Sequence, residues 1–99
     1  MLIRIVRMTF RPEAVLSFLE NFEANKNSIR NSPGCQHLEL WQDHHSENIF
    51  MTYSHWESEE ALNKYRDSEL FKSVWSVTKA LFAEKPQAFS SKKMHEVGK

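Results

Sequence analysis

The sequence predicts one α+β domain of the ferredoxin-like split βαβ type, an antiparallel sheet with helices on one face. Three observations predict it. A chain of 99 residues has room for a single core. Its apolar pattern switches between a period near 2 and one near 3.6, in the order β-α-β-β-α(α)-β. Polar or Pro/Gly stretches punctuate the switches, as at Asn31-Ser32-Pro33-Gly34 and Asp43–Asn48. We read residues 1–99 as one domain, with a core over about 2–89 and a tail over about 90–99.

The first strand runs from Leu2 to Phe10. Leu2, Arg4, Val6, Met8 and Phe10 share one face; Ile3, Ile5, Arg7 and Thr9 share the other. Pro12 suits the first turn of a helix, where its missing N–H does no harm. Val15, Phe18, Leu19 and Phe22 then recur at helical spacing, and Ile29 continues the stripe. Asn31-Ser-Pro-Gly ends this helix. A second strand spans Cys35–Gln42, with Cys35, His37, Glu39 and Trp41 on one face and Gln36, Leu38, Leu40 and Gln42 on the other. The polar turn at Asp43–Asn48 returns the chain into Ile49–Trp56, which makes a hairpin. Ser58 caps the next helix, whose first turn carries Glu59 and Glu60 at the positive end of the dipole. Ser68 caps another, with Phe71, Val74, Trp75, Thr78 and Phe82 on one stripe and Pro86 as its stop. A last strand is expected around Ala88–Lys93.

Composition excludes several classes. Lys+Arg and Asp+Glu are both 13, so there is no basic surplus to neutralise nucleic-acid phosphates. No apolar run approaches the ~20 residues that span a bilayer, and no leader pattern opens the chain, so neither a membrane nor an export route is expected. The single cysteine, Cys35, cannot form an internal disulfide and reads as a small packing residue. These features together predict a cytoplasmic protein. With Gly34 and Gly98 as its two glycines, the chain carries neither a dinucleotide fingerprint nor a P-loop, and no cofactor is expected. Five histidines carry no zinc-ligand spacing, so no metal is expected either. Aromatic residues, 12% of the chain, can fill one core and still line a ligand pocket or an interface.

The run Phe50-Met-Thr-Tyr-Ser-His-Trp-Glu-Ser-Glu-Glu-Ala-Leu reads as a strand ending on Trp56 that turns at once into an acidic helix start. With Pro33-Gly34-Cys35, Glu39-Leu40, Asp43, Ser68 and Phe71, it resembles the antibiotic-biosynthesis-monooxygenase family of dimeric α+β barrels, over Leu2 to about Phe89. The resemblance implies a fold shared by cofactor-free oxygenases of quinols and anthrones, haem-degrading enzymes, isomerases and proteins without known activity. Fold does not fix function. Where many quinol-oxygenase-like members carry a His after the Ala-Leu pair, this chain has Tyr65. Where the haem-degrading branch has Asn, Trp and His, this chain has Val6, Tyr65 and Trp75, which removes residue-level support for haem chemistry.

A quinol or anthrone must lose a proton before its anion reduces oxygen, so the site needs a base and a cation. His37 and His55, on neighbouring strands, are the candidate bases. Arg4 lies on the Val6 face, which the resemblance assigns to the pocket, and is placed to stabilise a phenolate. Tyr65 is the candidate donor to a substrate oxygen, and Val6, Phe71 and Trp75 the candidate pocket wall. Plain core packing is the competing reading for Phe71, Trp75 and Phe82, and hydrogen-bonded strand histidines the competing reading for His37 and His55. The leading functional reading is a cofactor-independent monooxygenase-like enzyme oxidising an aromatic quinol or polyketide-like substrate with O2. The alternative is a non-catalytic small-molecule-binding or stress-response module on the same fold; a third is a small-carbonyl isomerase. The sheet face away from the helices, with Ile3, Ile5, Leu38 and Leu40 as candidates, predicts a homodimer.

Overall fold

The computed structural model describes residues 1–99. The elements are β1 (Leu2–Thr9), α1 (Val15–Arg30), β2 (Cys35–Gln42), β3 (Ile49–Trp56), α2 (Glu59–Arg66), α3 (Glu69–Lys79) and β4 (Gln87–Ser91). A 3-10 turn at Pro12–Ala14 leads into α1. The strands form one antiparallel sheet in the order β2-β3-β1-β4, and α1 and α3 pack together over one face of it. This is the α+β ferredoxin-like fold.

Both caps read from the sequence form. Ser58 Oγ accepts from Ala61 N and Ser68 Oγ accepts from Phe71 N, each at 3.1 Å. Substituting such a cap by alanine costs ~1 kcal/mol, so each serine helps hold its short helix in place. The break between α2 and α3 at Asp67–Ser68 splits the helical layer. Two separate apolar clusters result. Met8, Phe10, Phe18 and Phe50 form one, with the Phe10 and Phe18 rings stacked 4.1 Å apart. Cys35, Trp56 and Leu62 form the other, with Tyr65 against it.

The structure departs from the sequence reading at five places. A β-bulge between Cys35 and His37 sets Cys35 opposite Trp56 and His37 opposite His55, so Cys35 turns to the helices and leaves the His37 face. The Cys35 carbonyl at the bulge accepts from Arg30 Nη1 at 2.8 Å. Leu38 and Leu40 also face the helices, and of the four candidates for the uncovered face only Ile3 and Ile5 lie on it. Leu19 sits exposed at the margin of the α1 stripe. Helix α3 ends at Lys79, seven residues before Pro86, and Arg11 holds the chain just past that end: Nη1 donates to Ala80 O at 2.9 Å and the backbone N–H to Leu81 O at 3.1 Å. Phe82 therefore lies beyond the helix, bridged to Phe10. Finally, β4 begins one residue earlier and ends two residues sooner than the expected Ala88–Lys93.

Gly34 is the one position with positive φ, at +84°. A Cβ there would lie 2.4 Å from the Ala61 Cβ, so the turn into β2 needs glycine both for its backbone conformation and for the close approach of α2.

Candidate functional site

A cavity of about 320 Å³ lies between the sheet and the helices, lined from both apolar clusters. That volume is within the range of small-molecule sites, about 300–1,000 Å³. Of its 19 lining residues 13 are hydrophobic, so an occupant must be largely apolar. The aromatic wall is continuous. The Tyr65 ring stacks on Trp56 at 4.8 Å and meets Phe71 edge-on at 5.2 Å, and Phe71 lies near-parallel to Trp75 at 5.8 Å. The gap in the helix layer at Asp67–Ser68 is what lets Tyr65 from α2 and Phe71 and Trp75 from α3 line one space. Val6 faces them from β1.

The polar groups of the cavity divide into committed and free. Ser54 Oγ accepts from Trp56 Nε1 at 3.0 Å and donates to Arg4 O at 3.5 Å. Thr78 Oγ1 donates to Val74 O at 2.8 Å and accepts from Asn21 Nδ2 at 3.3 Å. The Tyr65 hydroxyl has no protein partner, yet no side-chain polar atom is sealed off unpaired, so this hydroxyl opens to the cavity. Burial pushes its pKa up to about 12, which makes it a neutral donor and not a base. Arg4 donates one hydrogen bond, Nη1 to Ser90 Oγ at 2.9 Å, and forms no ion pair. Burial, and then the charge of Arg66, hold its guanidinium below its ordinary pKa; an arginine nonetheless stays charged at neutral pH.

Arg66 is the site residue that the sequence reading missed. It closes the last turn of α2, exposed at the cavity mouth. The signal was present: Leu62, Tyr65 and Arg66 are spaced i, i+3, i+4, the pattern that puts side chains on one helix face.

The structure thus brings Arg4, Val6, Tyr65, Phe71 and Trp75 together and leaves His37 and His55 elsewhere. Their neighbours Leu38 and Ser54 line the cavity, so both histidines point to the opposite sheet face. There the rings lie 5.1 Å apart. His37 Nε2 pairs with Glu39, whose other oxygen accepts from Trp41 Nε1 at 2.7 Å, and His55 Nε2 meets the Tyr53 hydroxyl at 2.6 Å. Neither can take a proton from a molecule in the cavity, and no other His, Asp or Glu lines it. Cys35 is no alternative: it is buried, and desolvation pushes its thiol pKa up.

No helix is long and apolar enough to cross a membrane. No curated protein shows significant similarity to the chain. Solved structures match it along nearly its whole length. An antibiotic biosynthesis monooxygenase superposes with a TM-score of 0.90 at 20% identity, covering 96% of this chain and 100% of that one. Rv0793 from Mycobacterium tuberculosis gives 0.87 at 18% identity, covering 98% of both chains. PA3566 from Pseudomonas aeruginosa gives 0.84 at 21%, covering 95% of this chain and 94% of that one. Likenesses at this identity establish the fold. The sequence model of the antibiotic biosynthesis monooxygenase family matches residues 1–74, and the chain therefore belongs to that family.

Proposed function

We propose that this protein is a cofactor-independent monooxygenase of electron-rich hydroxyaromatic compounds, quinols or anthrone-like polyketides. Family membership supports a monooxygenase-like or small-molecule-binding role. The observation that carries the finer reading is the cavity: an aromatic slot whose free polar side chains are the Tyr65 and Thr52 hydroxyls and two guanidinium groups.

In this reading a flat ring lies against Phe71 and Trp75. Its hydroxyl oxygen accepts from Tyr65, and Arg4 offsets the negative charge that develops when the proton leaves. With no side-chain base at hand, the proton passes to water at the open mouth, and the arginine favours ionisation by stabilising the anion. The anion transfers one electron to O2, giving superoxide and a carbon-centred radical. These combine to a carbon-bound peroxide. Loss of water converts an anthrone-type CH2 into C=O: one oxygen atom stays in the product, and the other leaves with two substrate hydrogens. Oxygen uptake with a panel of reduced quinones and anthrones tests the proposal. Consumption above autoxidation that falls in Arg4→Gln supports it; no consumption with any of them refutes it.

A second reading, a non-catalytic small-molecule-binding or stress-response module, is favoured by one observation: no His, Asp or Glu lines the cavity. Saturable binding without oxygen uptake is its signature. The same observation weighs against a carbonyl isomerase, which must return a proton to a defined carbon.

We further propose a cytoplasmic homodimer. Trp41, 37% exposed, and Phe89, 53% exposed, lie with Ile5 on the sheet face that no helix covers. A second copy, related by a two-fold axis, would cover this face. Stable monomer in light scattering at micromolar concentration refutes the dimer.

A further inference from the structure

We infer that the ligand of this cavity is a hydroxyaromatic carboxylate, its carboxylate held by Arg66 at the mouth and its ring hydroxyl by Arg4 and Tyr65 inside. This rests on the same cavity as the proposed function and names the substrate class. Two guanidinium groups line the cavity, and no carboxylate does. They are close enough for the charge of one to disfavour that of the other. Every ion pair of the protein lies elsewhere, so neither arginine is neutralised. Two unpaired like charges beside an apolar wall are unfavourable in the empty protein and become favourable once an anion enters.

The hydrogen-bonding inventory points the same way. Of the side-chain hydroxyls that could accept, Ser54 and Thr78 are already engaged within the protein, which leaves Thr52 as well as Tyr65. The Tyr65 hydroxyl is unengaged, Trp75 Nε1 makes no hydrogen bond, and most of Arg4's N–H groups are unused. A donor-rich, acceptor-poor site selects a ligand rich in acceptor oxygens. A planar guanidinium recognises a carboxylate through two parallel hydrogen bonds, which neutral phenols cannot match.

Charge balance then assigns the two arginines different tasks. A resting carboxylate offsets one positive charge and leaves the other uncompensated. That remaining charge stabilises the phenolate when the ring hydroxyl ionises. Arg66, at the exposed mouth, is positioned for the permanent anion. Arg4, partly buried on β1 and anchored on Ser90 of the neighbouring β4, is positioned for the transient one.

The test is calorimetric titration, without oxygen and at neutral pH, of a hydroxynaphthoate that carries its hydroxyl and its carboxylate on opposite rings, and of the uncharged amide of the same acid. The wild-type protein should bind the acid at least ~10-fold more tightly than the amide, a preference of ~1.4 kcal/mol. Arg66→Gln should bring the two within about twofold, while Arg66→Lys restores part of the preference. Equal binding of acid and amide by the wild type, or a preference that survives Arg66→Gln, overturns the inference. Arg66 is exposed in the last turn of α2, so its replacement leaves the fold intact, and an unchanged melting temperature verifies this. Because oxygen is absent, the result does not depend on turnover. A carboxylate preference without oxygen uptake in the aerobic assay sustains this inference and removes the oxygenase; uptake from quinols without that preference does the reverse.

Discussion

Replacing Tyr65 by Phe separates ligand recognition from folding with one oxygen atom. The ring stays: its stacking on Trp56 at 4.8 Å and its edge contact with Phe71 at 5.2 Å do not involve the hydroxyl. No protein group hydrogen-bonds that hydroxyl, so folding loses no bond within the protein. The melting temperature should therefore hold, with a stability change within ~0.5 kcal/mol. Binding should change. The ring hydroxyl is a neutral phenol in this titration, and a neutral hydrogen bond contributes ~0.5–1.5 kcal/mol net, so its loss weakens binding about 2- to 12-fold at ~1.4 kcal/mol per decade. A phenolate as partner would lose ~1.5–3 kcal/mol. The assay is paired: differential scanning calorimetry for folding, and isothermal titration with the same hydroxynaphthoate for affinity. A second readout uses the pKa of about 12: the Tyr65 phenol should still be protonated when pH passes the ordinary tyrosine value of 10.0, so wild type and Tyr65→Phe should give the same tyrosinate absorbance there. A stable Tyr65→Phe protein with unaltered affinity would refute the assignment of this hydroxyl to the ligand. A large drop in melting temperature would refute its freedom from protein partners.

Three further outcomes are expected. Gly34→Ala should lose ~2–5 kcal/mol, ~1–2 from the positive φ and ~1–3 from the clash with Ala61, and adding Ala61→Gly should recover the clash portion alone in urea unfolding. Trp75→Ala should cost ~2–3 kcal/mol of stability, below the ~3–5 of a fully buried aromatic because Trp75 is only partly buried; ligand affinity should fall by a further ~1–3 kcal/mol if the ring stacks on substrate, measured on the folded variant. The third outcome concerns acid. Burial, then the charge of His37, hold the His55 imidazole below its ordinary 6.5, so its contribution to stability is complete above that value and is lost as pH falls through the lowered folded pKa. Hydrogen bonds from Trp41 and then His37 hold Glu39 below its ordinary 4.5, so its contribution is likewise present above that value and lost further down. Thermal melts against pH should show the first decline vanish in His55→Gln and the second in Glu39→Gln.

Local signals in the sequence determined the elements of this protein. The strand pair Cys35–Gln42 and Ile49–Trp56 is found at the boundaries that alternation and the polar turn implied, and Ser58 and Ser68 cap the helices that follow them. These features depend on residues a few positions apart, and such short-range spacing is what a sequence displays. The placement of Val6, Tyr65, Phe71 and Trp75 around one space was also legible, through helix spacing and the family's pattern.

The tertiary structure decided which face each residue joins. Alternation says that Leu38 and Leu40 share a side; it does not say that this side meets the helices, because both sides of β2 carry large apolar groups. The bulge after Cys35 reverses the alternation at the strand's first residue, and a bulge is a property of the ladder between two strands. His37 and His55 were correctly placed on neighbouring strands, yet the same register sends both away from the cavity. Arg66 acquires its meaning only because α2 ends where β1 brings Arg4. Charges from distant parts of the chain meet through packing, and the sequence order of Arg4 and Arg66 carries no record of their separation in space.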